Sequence, residues 1–329
     1  MMRLTLSLVA ALAALGGATA QTAAPDAAAS ASAAPLPSLP PPLPPRADGE
    51  PPDLAFGAYQ RGNFLFALRE AERRLDQNPK DAAAMTLIGV IYRDGAAEGK
   101  SDLEASRWFR LASNLGDPEA AYELGALLLA GANGVQKDRD AAKAQFERAA
   151  ARNQPTALYN LGVMALDASD GRTPDFAAAA QYFLRSANAG DDDGAYSYGV
   201  MLREGKGVPQ DLAESVRWLK RASEAGVIAG QVEYAIMLFN GEGVAKNEAA
   251  SVGILKIAAA KGNPIAQNRL AHLYVDGVVV DHDLAKAAAW NAFAKAGGLQ
   301  DQGLDVATAN LTADERSRFT RIVRGTIGN

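Results

Sequence analysis

The chain has 329 residues, 48% of them hydrophobic, with 33 Lys and Arg against 38 Asp and Glu, for a net charge of −5. A weakly acidic chain with no basic block argues against a nucleic-acid partner, because neutralising phosphates requires clustered cations. No cysteine is present, which excludes disulfides, thiolate catalysis, cysteine-ligated zinc and lipidation on cysteine.

Residues 1–20, MMRLTLSLVAALAALGGATA, carry a single charge, Arg3, then an apolar run from Leu4 to Leu15 and a closing Ala18-Thr19-Ala20. A run of about a dozen residues is too short to cross a bilayer core of roughly 30 Å at 1.5 Å per residue. The segment reads as a cleavable secretory signal peptide. Loss of Arg3 would take the mature charge to −6 (−5 − 1). No later stretch reaches 18 apolar residues free of charge. The expectation is a soluble, secreted, periplasmic protein with no integral membrane segment after cleavage. Residues 21–52 are rich in Ala and Pro, and PLPSLPPPLPPRADGEPP alone holds nine prolines. Proline fixes φ and removes a donor, so this stretch reads as a disordered or polyproline-like linker.

From residue 53 the pattern becomes helical. AYQRGNFLFALREAERRLDQNPKD, with Gly62 at its turn and Pro79 at its end, makes 53–80 one helix pair. A repeat then begins. Gly89, Gly125, Gly162 and Gly199 are followed in register by Ala235 and Ala271, at intervals of 36, 37, 37, 36 and 36 residues. GKGVPQDLAESVRWL at 205 returns as GEGVAKNEAASVGIL at 241 and GVVVDHDLAKAAAWN at 277. Gly116, Gly190, Gly226, Gly262 and Gly298, with Asn153 in register, close the units. Six units therefore span 81–298.

Each unit reads as two helices. In the first, Ala120, Leu124 and Leu128 share one face, and the recurring small residue beside them lets another helix approach closely. Glycine inside a helix costs roughly 1 kcal/mol against alanine, so its recurrence calls for a packing reason. The second helix starts on Ser101, Asp138, Asp175, Asp211, Asn247 or Asp283, each suited to cap free amides. Seven residues later comes Trp108, Tyr182, Trp218, Ile254 or Trp290, with Gln145 the exception. This large residue is expected to fill the gap over a neighbouring glycine. The GKG at 205–207 lies between a helix end and a cap. Its lysine becomes Glu242 and Val278 in sister units, so the position does not require a phosphate-binding lysine.

With these residues in view, the repeat resembles the SEL-one-like repeat, a relative of the tetratricopeptide repeat. The resemblance rests on Ala157-Leu158-Tyr159-Asn160-Leu161-Gly162, on Gly241-Glu242-Gly243-Val244 and on Trp108-Phe109, recurring over about 220 residues. The third unit departs from it: DASDGRTPDFAAAA lacks the GxGV turn. The sixth has Val279 at the second turn glycine. The pair at 53–80 is similar to a tetratricopeptide helix pair. The resemblance implies an all-α fold, a right-handed α-solenoid of stacked antiparallel helix pairs, with first helices lining a concave surface. It also implies an adaptor without shared catalytic residues, often found in the bacterial envelope. The region 299–329 reads as a C-terminal cap: Thr312 opens a charged helix whose stripe Phe319, Ile322 and Val323 would cover the last repeat.

No catalytic constellation is apparent. His272 and His282 are the only histidines, and H-E-x-x-H, G-x-S-x-G and S-x-x-K are absent. No metal site, no cofactor and no catalytic residue is therefore expected. His272 occupies a first-helix position held by Val, Ala or Ile elsewhere and reads as tolerated there. The candidate partner-binding residues form two columns. Glu123, Asn160, Ser197, Glu233 and Arg269 lie two residues before the small position, and Tyr122, Tyr159 and Tyr196 one residue earlier. Tyrosine offers contact area at low entropic cost, but a stripe at helical spacing equally suits packing between repeats. The expected function is a non-enzymatic scaffold or adaptor. It would hold a protein or peptide on its concave face in the bacterial envelope, with regulation of an envelope complex or sensor as a narrower form. The alternative is a cell-wall saccharide binder or hydrolase, which would need carboxylates clustered about a groove.

Overall fold

A computed structural model describes residues 53–96, 99–131 and 133–327. The signal peptide and the proline-rich linker read from the sequence at 1–52 lie outside the described residues. Among the described residues the chain forms sixteen α-helices, one 3₁₀ turn and no strand. They divide into two compact units, one ending at Pro174 and the other beginning at Asp175.

The first unit contains α1 (Leu54–Gln60), α2 (Phe64–Gln77), α3 (Ala82–Asp94), α4 (Asp102–Asn114), α5 (Pro118–Ala130), α6 (Arg139–Ala150) and α7 (Pro155–Leu166). Each helix packs on the next along the chain. Asp53 caps α1 through the Phe56 amide at 3.0 Å, and Asp81, Ser101, Asp117 and Asp138 do the same for α3 to α6. The departure in the third repeat is real. α7 stops at Leu166, Asp167 accepts from the Ser169 amide at 2.8 Å, and Ser169–Gly171 forms the 3₁₀ turn. Arg139 of α6 pins this turn by an ion pair to Asp167 at 2.6 Å.

The second unit contains α8 (Phe176–Asn188), α9 (Asp192–Glu204), α10 (Leu212–Glu224), α11 (Ile228–Asn240), α12 (Glu248–Ala260), α13 (Pro264–Asp276), α14 (Leu284–Ala296), α15 (Gln302–Ala307) and α16 (Ala313–Ile327). Again successive helices pack in chain order from α8 to α15, and α16 folds back onto α14. The caps expected at Asp175, Asp211, Asn247 and Asp283 each accept the amide three residues on. Thr312 and Glu315 form a reciprocal capping box at the start of α16. Phe319, Ile322 and Val323 are half-buried.

The glycine column does its expected job, but the residue that fills it is one position later than the sequence reading placed it. A Cβ on Gly89 would lie 2.5 Å from Phe109, one on Gly125 2.7 Å from Phe146, and one on Gly199 2.9 Å from Leu219. Phe109, Phe146, Phe183, Leu219 and Leu255 are buried, whereas Trp108, Tyr182, Trp218, Ile254 and Trp290 are half-buried. Capping sets the helix start, and 100° per residue then turns position eight, not seven, toward the partner helix. Where the small residue is Ala235, the residue in register is Leu255, and both belong to one core cluster.

The GxGV turns also have a steric reason. Gly207 and Gly243 have φ of 73° and 67°, and a Cβ there would stand 2.1 Å and 2.4 Å from the carbonyl oxygens of Phe176 and Leu212. Val279, in register, keeps the left-handed φ of 66° with a branched side chain.

Candidate functional site

The candidate residues lie on the first helices of the repeats: Tyr122 and Glu123 on α5, Tyr159 and Asn160 on α7, Tyr196 and Ser197 on α9, Glu233 on α11 and Arg269 on α13. Their environments differ. In the first unit Tyr122 is buried, its ring 6.1 Å from that of Phe146. Glu123 is also buried, and its carboxylate takes an ion pair from Arg93 of α3. Tyr159 and Asn160 are half-buried, and Asn160 Nδ2 donates to the Thr156 carbonyl at 2.8 Å.

The Arg93–Glu123 pair belongs to a larger network. Arg93 Nε donates to Asp94 at 2.8 Å, and the Tyr59 hydroxyl of α1 donates to the same carboxylate at 3.0 Å. Burial acts to lower Arg93, but Glu123 and Asp94 outweigh it and hold the guanidinium well above its usual range. Burial, followed by the Asp94 charge, pushes Tyr59 up to about 12. Glu119 lies one turn before Glu123, and burial together with the Glu123 charge raises it while the Gln154 amide, at 3.1 Å, opposes the shift. The two glutamates on α5 are thus engaged by Gln154 and Arg93.

In the second unit Tyr196 and Ser197 are buried. Glu233 is half-buried and ion-paired to Arg203 of α9. Arg269 is exposed. The structure therefore divides the polar column. Glu123 and Glu233 tie each repeat to the one before it, while Asn160 and Arg269 remain at the surface of their units. The signal that separates them was present in the sequence: each tied glutamate has an arginine 30 residues upstream, at the last turn of the preceding first helix. The corresponding residues before Asn160 and Arg269 are Ala130 and Phe239 counted by 30, with no cation to offer.

Two further groups escaped the sequence reading. His272 is not merely tolerated. Its Nε2 lies 2.8 Å from Asp301 Oδ2, and Asn268 Nδ2 donates to the same oxygen at 2.9 Å. Asp301 also caps α15 through the Leu304 amide at 3.0 Å. Asn268, the Leu304 amide and His272 hold the Asp301 carboxyl far below the ordinary carboxylate range. Asp283, the cap of α14, is also lowered from the ordinary carboxylate value: burial raises it, but the Lys286 amide and Arg318 of α16 prevail. Among the described residues no group of three or more His, Asp or Glu is placed to hold a metal ion, and no helix is long and apolar enough to cross a membrane.

The comparisons agree with this architecture. The sequence model of the Sel1 repeat matches residues 82–117, 118–154, 155–191, 192–227, 228–263 and 264–291. The crystal structure of a Sel1 repeat protein from Oxalobacter formigenes superposes with a TM-score of 0.63 at 26% identity, covering 74% of this chain and 98% of that one. The protective antigen c5321 of uropathogenic Escherichia coli, described as displaying an SLR fold, superposes with a TM-score of 0.54 at 20% identity, covering 84% of this chain and 67% of that one. No curated protein matches this chain.

Proposed function

Because this chain belongs to the Sel1 repeat family, we propose that it is an adaptor of the bacterial envelope that holds a protein or peptide along its first helices. Sel1 repeats generally form protein–protein interaction scaffolds, and proteins built from them are typically non-catalytic. The leader at residues 1–20 supports export, and the proline-rich stretch at 21–52 would give the repeats reach.

One observation carries the choice of face. The first helices keep their packing positions small or apolar from repeat to repeat, while the polar column beside them changes from Glu123 to Asn160 to Ser197 to Glu233 to Arg269. Glu123, Ser197 and Glu233 suit their own internal surroundings, so the reading rests on Asn160 and Arg269, which the same register leaves at the surface of their units. The ion-paired glutamates serve as supports, and Tyr159, Asn160 and Arg269 are the contact residues. Regulation of an envelope complex or sensor is a narrower form of the same reading.

The test is site-specific photo-crosslinking of the full chain in intact cells. A crosslinking amino acid replaces Asn160 or Arg269 in one set, and Lys143 or Lys220, exposed on second helices, in another. The expected result is one discrete partner captured from the first set and absent from the second. Capture of that partner from the second-helix positions alone would overturn the assignment of the face.

A further inference from the structure

Second helices of neighbouring repeats are clipped together by a recurring arginine. Arg148 of α6 donates to Asn114 of α4 at 3.2 Å, and Arg221 of α10 donates to the Ala187 carbonyl of α8 at 2.7 Å. In the first repeat this position is Leu111, 50% exposed, and the α2 residue in register with Asn114 is Asp76. The junction of α4 with α2 therefore lacks the clip. Trp108, Leu111 and Leu115, spaced i, i+3 and i+7, share one face of α4. Trp108 packs against the core cluster of α1 to α3, so this face turns back toward α2. Leu115 is 43% exposed. On α2, Arg69, Glu72 and Asp76 share an exposed face. The two carboxylates stand in no ion pair among the described residues. Ile257 on α12 also replaces the arginine, but Lys261 takes the place of Leu115 there and cuts the apolar strip short.

The chain brings an occupant to this junction. Asp53 is ion-paired at 2.6 Å to Arg74 in the last turn of α2. Gln77, at the end of α2, is in register with Leu115. The preceding residues therefore join the folded helices at the Leu115 end of the strip. They include PLPSLPPPLPPR, residues 35–46, whose Arg46 is the one cation between Leu4 and Gln60.

We propose that residues 35–46 dock on this strip as a polyproline II segment. Arg46 lies beside Glu72 and Asp76, and Leu43, Leu39 and Leu36 run with their prolines along Leu115, Leu111 and Trp108. The lengths permit it. Seven steps from Arg46 to Asp53 cover about 22 Å, against about 8–10 Å between packed helices. Eleven residues of polyproline II extend about 34 Å, and the 13 residues of α4 about 20 Å. Such a segment has little entropy left to lose and suits a groove with an aromatic wall. Charge is complementary as well: the α2 wall carries −1 (1 − 2), and Arg46 is the segment's only charge, since Asp48 and Glu50 fall on the stretch returning to Asp53. Residues 21–34 keep the spacer role, and the docking does not depend on the first-helix reading.

Trypsin cleavage after Arg46 in the full chain tests this, with the free peptide of residues 35–52 setting the intrinsic rate. Cleavage of a docked segment follows its small open population, so the parent is expected to be cut at least about tenfold more slowly than the peptide. Leu111→Asp alters an exposed residue, and a variant with Leu36, Leu39 and Leu43 all changed to Ser alters nothing within the repeats. Each is expected to be cut at the rate of its own peptide while circular dichroism shows the helices intact. Glu72→Gln combined with Asp76→Asn is expected to lose about two- to fivefold of the protection. Cleavage of the parent at the peptide's rate, or protection that survives either leucine variant, would overturn the proposal. So would protection that fades on dilution, which would place the segment on a second copy of the chain.

Discussion

The packing of small residue against large residue can be tested at Gly125. In Gly125→Ala the new Cβ would sit 2.7 and 2.8 Å from two Phe146 ring carbons and 3.2 Å from the Ala142 carbonyl oxygen. Comfortable carbon–carbon contact is about 3.5–4.0 Å, so the overlap approaches 1 Å. Phe146 is 1% exposed, so its ring cannot swing out into solvent without opening the core. Overpacking of this kind costs about 1–3 kcal/mol, and the overlap places this case in the upper half. Replacing glycine by alanine within a helix returns about 1 kcal/mol, so the net loss is about 1–2 kcal/mol. In a chain of this size that corresponds to a fall of roughly 2–8 °C in Tm. The chain itself indicates the compensation: Gly89 faces Phe109, Gly199 faces Leu219, and Ala235 shares its core cluster with Leu255. Phe146→Leu alone leaves a void and costs about 1–2 kcal/mol. The double variant is expected to be more stable than the sum of the singles by at least about 1 kcal/mol, because the methyl occupies the space that the ring vacated. Urea midpoints and thermal melts of the four proteins, followed by circular dichroism, measure the cycle. A Gly125→Ala protein as stable as the parent, or a strictly additive double variant, would refute the reasoning.

Further outcomes follow from single sites. Val279→Gly is expected to raise Tm, since a branched residue at φ 66° costs about 1–2 kcal/mol and glycine's extra freedom when unfolded returns only about 0.5–1; a lower Tm would show the turn to be unstrained. Glu123→Gln removes the charge paired with a mostly buried Arg93, which keeps only Asp94, and is expected to cost about 2–3 kcal/mol by urea denaturation. Glu233→Gln, at a more exposed pair, is expected to cost about 1 kcal/mol, and equal losses at the two sites would contradict the burial argument. Asp301 has its carboxyl depressed in the folded state below its ordinary value of 3.8, so its stabilisation is complete above that value and is lost as pH falls through the depressed folded value. Asp301→Asn is therefore expected to melt with a shallower dependence on pH below about 4 than the parent, and parallel melting curves from pH 5 to 2 would remove Asp301 from the account.

How much of this could be read before folding depends on the range of the interaction involved. Caps are local: a side-chain oxygen at Asp138 or Asp211 meets an amide three residues on, so sequence spacing alone identified them. Repeat boundaries are local as well, since Gly205 or Gly241 must end a helix with a left-handed residue wherever the pair later packs. The stacked helix-pair fold followed from these signals and the period. The candidate contact columns were legible only as positions. Glu123 and Asn160 occupy the same register, yet one is buried on Arg93 and the other remains half-buried at the surface, because a partner from another repeat decides the difference. The filler of the glycine gap was misplaced by one residue for a related reason. Trp108 and Phe109 are both large and adjacent, and only the rotation of α4 against α3 selects Phe109 for the gap. His272 reads as isolated until α15 brings Asp301 beside it, 29 residues later in the chain. Sequence by itself determined helix starts, stops and period, which depend on backbone geometry within a few residues. Tertiary structure alone decided which side chains are supports, which are surface and which converge on one carboxylate, because those outcomes depend on contacts whose partners lie a whole repeat away.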